Sequence, residues 1–394
     1  MLSVNEAIDS LLRPARRLVD TERVSLLDGL GRTLADDVVA DIDVPPADNS
    51  AMDGYALRHA DWRDAGTALK LSQRITAGSV PAPLEAGTAA RIFTGAEVPA
   101  GADTVVMQER CEAGPGTVRI LDLPAAGANI RRRGQDLAVG QRVLTEGRRL
   151  RSQDLGLAAS LGVARVNAYR RLRVAILSTG DELVEPGDTA GPGQIFNSNR
   201  FTMSGQFAAW GFDVLDLGIA RDRPDALREK LTRAAAEADV IVASGGVSVG
   251  EEDHVKDVVA SLGSLDLWRI AIKPGKPFAF GRISDTPFIG LPGNPVSVFV
   301  TLLVVARPYL FACQGAADTE LVPVVGTARF SKRGTAREDY LRVRSGANGL
   351  ELFQNQSSGV LYSTCWGDGL VRQKAGENID EGDRVDYLPF TAFA

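Results

Sequence analysis

Apolar positions in the first 40 residues recur near helical spacing. In MLSVNEAIDSLLRPARRLVD, Leu, Ile and Val are separated by both acids and bases, which predicts an amphipathic helix. The stretch has no continuous apolar core and so does not read as a secretory signal. From DIDVPPADNS to about residue 140 the texture changes. Short Val/Ile/Leu runs alternate with Gly, Pro and Ala turns, as in RIFTGAEVPAGADTVVMQE, which predicts a β-rich insertion with frequent reversals. Helical patterning returns at about 150–165, in LRSQDLGLAASLGV. The helical part is thus expected to consist of two segments that bracket the insertion.

Residues 172–310 follow another rhythm. Strand-like LRVAILS, FDVLDLG, DVIVAS, LDLWRIAI, PFAFG and PFIGL alternate with helical stretches that include PDALREKLTRAAAEA. Such alternation predicts a mostly parallel sheet covered on both faces. The longest apolar run lies near VSVFVTLLVVA, residues 296–306, too short to span a bilayer and fit for a buried helix. Past residue 322 the short strands LVPVVGTARF, YLRVRS, ELFQ and DRVDYLPF predict a small C-terminal β-barrel or sandwich. The expected class is multidomain α/β, with a doubly wound sheet at 171–321 and a barrel at 322–394. A helical part at 1–40 and 140–170 and a β-rich insertion at 41–139 complete it.

Composition narrows the function. The chain has 394 residues, 44% hydrophobic and 24% charged, with a net charge of −6. Its length exceeds one ordinary core. The acidic balance argues against a broad nucleic-acid surface but leaves room for a small anion held by local basic loops. Cys111, Cys313 and Cys365 lie far apart and form no CxxC pair. That is neither a disulfide framework nor a zinc site, and it suits a reducing cytosol. With His59 and His254 the only histidines, carboxylates, lysines, hydroxyls and backbone must carry any chemistry.

Three predicted strands end in glycine-rich, polar loops. In STGDEL, residues 178–183, Asp181 and Glu182 read equally as solvated turn acids and as paired site carboxylates. In SGGVSVGEED, residues 244–253, Gly245, Gly246 and Gly250 permit close backbone approach and Ser248 offers a hydroxyl. Glu251, Glu252 and Asp253 fit either helix capping or a Mg²⁺ ion bridged to a phosphate. No GK[ST] follows, so this is not a Walker loop. In LPGNPVS, residues 291–297, Asn294 and Pro295 make a good helix start, which leaves Pro292 and Gly293 unexplained. In KPGKP, Lys273 and Lys276 flank a turn stiffened by Pro274 and Pro277, which reads as an anion clamp. The stretch PPADNSAMDGYAL, with Asp48 and Asp53, reads as a turn or as an acidic finger.

Eight motifs in order, DNSAMDGYA, IFTGAEVPAGADTVVMQE, NIRRRGQD, STGDEL, GQIFNSNR, SGGVSVGEED, KPGKPFAFG and LPGNPVS, resemble the molybdopterin molybdenumtransferases. These are molybdenum insertases related to the catalytic domain of gephyrin. The resemblance runs from about residue 5 to about 385. It implies insertion of molybdate into adenylylated molybdopterin, with AMP and molybdenum cofactor as products. It also implies an elongated homodimer in which the β insertion of one subunit leans over its partner's doubly wound part. Asp53 then becomes an acidic finger facing the partner's site.

Further roles follow from the resemblance. Glu182, Asp253 and Asp136 would hold Mg²⁺ or position the attacking oxygen. Gly245, Gly246, Ser248, Pro292, Gly293, Asn294 and Pro295 would cradle the adenylate phosphate. Lys273, Pro274, Lys276, Arg337 and Ser358 would hold molybdate, with Ser357 a rival for Ser358. Thr94, Asp136 and Asp222 match further family site positions, Asp222 among the catalytic acids. Many members read Asp-Tyr-Asp where this chain has Glu251, Glu252 and Asp253. A separate molybdopterin adenylyltransferase would supply the substrate, and molybdoenzyme chaperones would be transient partners. A cytoplasmic protein with no membrane or nucleic-acid partner is expected. An adenylyltransferase itself would carry Gly-Gly-Thr-Gly where this chain has Gly-Gly-Val-Ser. A non-catalytic scaffold would be free to lose the acids and lysines kept here.

Overall fold

A computed structural model describes residues 1–64, 66–221, 223–246 and 254–393. Internal packing divides the chain into two units. One comprises Met1–Asp36, Glu146–Arg151 and Arg165–Ala394; the other comprises Asp37–Thr145 and Ser152–Ala164.

The first unit begins with the helix Val4–Leu12, set by a capping box. Ser3 Oγ accepts from Glu6 N at 3.2 Å, and Glu6 Oε2 accepts from Ser3 N at 2.7 Å. The helix ends at Leu12, just before Pro14, which can neither donate the next hydrogen bond nor leave its predecessor free. Residues 1–40 are therefore less helical than their spacing predicts. Thr21–Ser25 is a strand, paired antiparallel with the distant Arg165–Tyr169.

The main sheet has the order Asp213–Ala220, Arg173–Thr179, Val240–Ser244, Thr286–Leu291, Pro277–Ile283, Gly263–Arg269. The first four strands run parallel, Pro277–Ile283 runs antiparallel to them, and Gly263–Arg269 runs antiparallel to Pro277–Ile283. Alternate residues of each central strand face opposite cores. Val174, Ile176, Val240 and Val242 meet Met203, Phe207 and Leu302 on one side. Ala175, Leu177, Ile241 and Ala243 meet Leu227, Leu231 and Val259 on the other. Burial on both faces is why these strands read as unbroken apolar runs.

The apolar run near 296–306 belongs to a longer helix, Pro295–Gln314, with a π-helical turn at Leu302–Ala306. The helix has 20 residues, and its most apolar 18-residue stretch, with a mean hydropathy of 2.0, would suffice to cross a membrane, but 89% of that stretch is buried within the protein, as befits a core helix.

The strands Val324–Thr327, Glu338–Gly346, Gly349–Leu352, Gly369–Gln373 and Arg384–Pro389 form the C-terminal sheet. Ala328, just past the first of them, bridges to Leu350 and closes the ring into a barrel. Leu341, Val343, Val371 and Val385 fill it.

The second unit carries a six-stranded sheet in the order Thr104–Met107, Gly54–Leu57, Thr88–Ile92, Ala68–Ile75, Thr117–Ile120, Cys111–Gly114. Ala56, Ala90, Ile92 and Val105 build one face, and Tyr55, Leu57, Leu69 and Val118 the other. The helix Ser152–Ser160 also belongs to this unit.

Candidate active site

Strands Arg173–Thr179, Val240–Ser244 and Thr286–Leu291 end side by side, with Ser178 opposite Ser244 and Ser244 opposite Leu291. Ligands of open parallel sheets bind beyond such ends. Here the loops that follow enclose a cavity of about 800 Å³. Gly180, Glu182, Gly245, Gly246, Pro292, Gly293, Asn294 and Pro295 line it, while Asp181 does not. Gly245 and Gly246 have φ of +87° and +66°. A Cβ on Gly245 would sit 2.5 Å from the Thr179 carbonyl oxygen, and one on Gly246 would sit 2.3 Å from Val255 Cγ2. Only glycine lets this loop turn so close to the first strand.

Asn294 occupies the N-cap position but makes no side-chain capping bond. The helix start is closed instead by the Ser358 carbonyl, which accepts from Val296 N at 3.0 Å. The Asn294 side chain is left exposed at the cavity.

The KPGKP turn reaches this edge because strand Pro277–Ile283 runs antiparallel, with Ala279 opposite Gly290. Its beginning therefore lies beside the end of Thr286–Leu291. Ile272–Lys273 in turn pairs with Glu338–Asp339, which brings the barrel to the same place. Lys273, Pro274, Lys276, Arg337, Ser357 and Ser358 all line the cavity. Lys273 Nζ donates to Asp339 Oδ2 at 2.8 Å, and Arg337 Nη1 donates to the Ile272 carbonyl at 3.2 Å.

The serine loop is fixed from the barrel interior. Arg342, fully buried, donates to Ser363 Oγ at 3.2 Å, Tyr340 O at 3.1 Å and Ser357 O at 3.4 Å. Burial pushes its guanidinium down to about 10, which still leaves it charged at neutral pH. Gln356 clamps the Arg342 backbone, its Oε1 accepting from Arg342 N and its Nε2 donating to Arg342 O, both at 3.0 Å.

Glu182 is the one carboxylate lining the cavity among the described residues, and no group of three potential metal-ligating side chains occurs among them. Magnesium commonly takes one or two carboxylates together with substrate phosphates, so this donor set suits an ion bridged to a phosphate.

Asp53, Thr94 and Asp136 belong to the second unit. Asp53 accepts from Thr94 N at 2.7 Å and Thr94 Oγ1 at 2.8 Å. These bonds, the backbone one foremost, hold its carboxyl below the usual range. Asp48 has a structural part, accepting from Arg133 N at 2.8 Å and Arg132 Nη1 at 2.6 Å. Asp222, Ser248 and Asp253 lie outside the described residues. Cys111 and Cys313 are pushed by burial to about 11 and about 12, so both are neutral thiols.

Residue-type reasoning passed over Thr179, Asn197, Asn199, Gln356 and Asp339. Thr179 Oγ1, Asn197 Nδ2 and Asn199 Oδ1 are buried at the cavity wall with no partner among the described residues. The signal available for the two asparagines was the motif GQIFNSNR, which assigns them no chemistry by itself.

Glycine loops at parallel strand ends, faced by lysines, an arginine and serine hydroxyls, define a protein of the class that holds nucleotide-sized anions. Three family descriptions match in order: MoeA N-terminal region (domain I and II) over residues 2–162, probable molybdopterin binding domain over 175–312, and MoeA C-terminal region (domain IV) over 325–390. A molybdopterin molybdenumtransferase of Haemophilus influenzae is 37% identical, with 99% of each chain covered. One from a Nostoc species is 39% identical over 76% of this chain and 70% of its own. The solved molybdopterin biosynthesis MoeA protein of Pyrococcus horikoshii aligns at a TM-score of 0.86, with 26% identity, 99% of this chain and 100% of that one. The chain belongs to the molybdopterin molybdenumtransferase family.

Proposed function

We propose that this chain inserts molybdate into adenylylated molybdopterin, releasing AMP and molybdenum cofactor. One observation carries the reading: a glycine-lined phosphate cradle and a Lys/Arg/Ser oxyanion set are walls of the same cavity. The cradle, Gly245, Gly246 and the Pro292–Pro295 turn, binds the adenylate phosphate through backbone and amide groups. Lys273, Lys276, Arg337 and Ser358 hold the molybdate dianion, where charge-assisted donors are strongest. Bringing anhydride and oxyanion together, with donors already in place, is the main catalytic device. Mg²⁺, held by Glu182 and Asp253, would neutralise charge on the phosphoanhydride.

Asp53, oriented by Thr94, acts as an acidic finger toward a partner subunit's site in a homodimer. Asp222 counts among the catalytic acids, and Ser248 joins the phosphate cradle. The four-part division at 1–40 with 140–170, 41–139, 171–321 and 322–394 belongs to this reading. So do a cytoplasmic setting, an upstream adenylyltransferase and molybdoenzyme chaperones.

The test gives purified protein adenylylated molybdopterin and Mg²⁺, with and without molybdate, and measures AMP. Molybdate-dependent release is expected. Tight substrate binding without release would replace the insertase with a carrier. Mixed dimers of Asp53→Ala and Asp253→Ala subunits should recover activity above either parent if the finger acts across the dimer.

A further inference from the structure

A second cavity, of about 430 Å³, lies in the first unit and shares no lining residue with the one already described. Its size falls within the range of small-molecule sites, about 300–1,000 Å³. The helix Val4–Leu12 forms one side. That helix buries Val4, Ala7 and Leu11, which leaves Ile8 and Leu12 half-buried along the cavity, one turn apart. Pro308 of the core helix, Leu321 and Leu388 extend the apolar lining. Asp9 and Glu320 also line it, both exposed and neither in an ion pair among the described residues. Arg372 is the one cation among the described lining residues. Its Nε donates to Glu338 Oε1 at 2.8 Å and its Nη2 to Glu338 Oε2 at 3.2 Å, while Nη1 has no partner among the described residues. Tyr340, which lines the same cavity, donates its hydroxyl to Glu338 Oε1 at 2.6 Å.

Glu338 joins this cavity to the oxyanion set. Successive residues of an extended chain face opposite sides, and residues 337–340 alternate between the two cavities. Arg337 lines the first, and Asp339 accepts from Lys273 Nζ, which lines it too. Glu338 turns the other way, to Arg372 and Tyr340 at the second. The backbone ties the two sides together. Glu338 N donates to the Ala271 carbonyl at 2.9 Å, and Ile272–Lys273 pairs with Glu338–Asp339. Arg337 Nη1 donates to the Ile272 carbonyl. Glu338 is only 14% exposed, so its bond to Arg372 is weakly screened by water. A displacement of Glu338 therefore carries Lys273 and Arg337 with it.

We infer that the second cavity is an effector site for an apolar monocarboxylate, and that its occupant loosens the oxyanion set through Glu338. The carboxylate answers Arg372 Nη1 with a charge-assisted hydrogen bond. The hydrocarbon body answers Ile8, Leu12, Leu321 and Leu388. Two unpaired acids against one arginine make the lining net acidic, which disfavours dianions and welcomes an ammonium group on the same molecule. The shared chemistry covers simple apolar acids and apolar amino acids. A carboxylate on Nη1 shares the guanidinium charge with Glu338 and weakens its hold there, so Arg337 and Lys273 are less firmly placed. By linkage, molybdate must weaken the effector by the factor that the effector weakens molybdate. The inference adds a regulation to the insertase reading and rests on it only for what Arg337 and Lys273 hold.

The experiment is calorimetric titration of the full-length protein with phenylpropionate, phenylalanine and phenylethylamine, which share one hydrocarbon body, each with and without molybdate. The two carboxylates are expected to bind and the amine is not. Saturating phenylpropionate should weaken molybdate binding about fivefold or more, and molybdate should weaken phenylpropionate equally. Tighter binding of phenylalanine than of phenylpropionate would mark amino acids as the source, and the reverse order simple acids. Ile8→Trp fills the cavity and Arg372→Gln removes its cation, so each should abolish binding of both carboxylates. Ile8→Trp leaves the Arg372–Glu338 pair in place, so a loss there is not a disturbance of the barrel. The proposal is overturned if neither carboxylate binds at millimolar concentration or if both bind without changing molybdate affinity. It is also overturned if binding survives Ile8→Trp, which would put the acid on the oxyanion set instead. The insertase reading fails on a different result, the absence of molybdate-dependent AMP release by the unmodified protein.

Discussion

Lys273 is held by a carboxylate that water scarcely reaches. Asp339 is 1% exposed, and its second oxygen, Oδ1, has no partner among the described residues. Lys273→Met should therefore cost stability as well as molybdate binding. We expect a loss of about 2–3 kcal/mol in chemical denaturation, below the figure for a fully buried pair because Lys273 is partly exposed. The double variant Lys273→Met, Asp339→Leu should regain most of that stability without regaining molybdate affinity.

Asp53 makes a contrasting case at the same scale. Thr94 donates two bonds to its ionised form, so its folded pKa lies below the unfolded value of about 3.9. Its stabilisation is present above that value and fades as pH falls through the lower folded one. The difference in melting temperature between the unmodified chain and Asp53→Asn should be constant at neutral pH, begin to shrink as the pH falls below about 4, and be lost only below the folded pKa. A difference that does not shrink at all on acidification below about pH 4 would mean that Thr94 does not favour the carboxylate.

Among the elements, the glycine loop after strand Val240–Ser244 is the least replaceable. Gly245→Ala meets both a positive φ and a Cβ within 2.5 Å of a carbonyl oxygen. The strain alone costs about 1–3 kcal/mol, and the loop must withdraw from Thr179 to relieve it. We expect a lower melting temperature and no measurable AMP binding. Normal AMP binding by Gly245→Ala would remove this loop from the cradle. The serine loop depends on the barrel in a comparable way, because Arg342 and Gln356 fix its backbone while its hydroxyls stay at the cavity.

For the whole molecule, the two units have separate cores, and the insertion leaves and returns through one ladder. Val38–Val39 pairs with Arg142–Leu144, and Ala40 N donates to the Gln141 carbonyl at 2.9 Å. Replacing residues 41–139 by Asn-Gly should close that ladder as a two-residue hairpin. The shortened protein is expected to unfold cooperatively and to bind AMP as before, because every residue lining the cavity belongs to the first unit. It should release no AMP from adenylylated molybdopterin if Asp53 is required. Full turnover would remove Asp53 from the reaction.

By itself the sequence determined the class of each region and the loops that matter. Strands buried on both faces leave unbroken apolar runs, and glycine and proline mark where the chain must turn or approach a ligand, so both are local signals. It also carried the motifs that identify the family. The tertiary structure decided what periodicity cannot register. Thr21–Ser25 is a strand because its partner lies some 140 positions away. Asn294 sits at a cap position without capping, because the Ser358 carbonyl from the barrel closes that turn. Asp339 and Arg342 hold the cavity wall from within the barrel, and Thr179, Asn197 and Asn199 have unanswered polar atoms only once folding has taken water away from them. Burial and partnership are properties of the packed chain, so a residue's type states what it can do and the fold states what it is left to do.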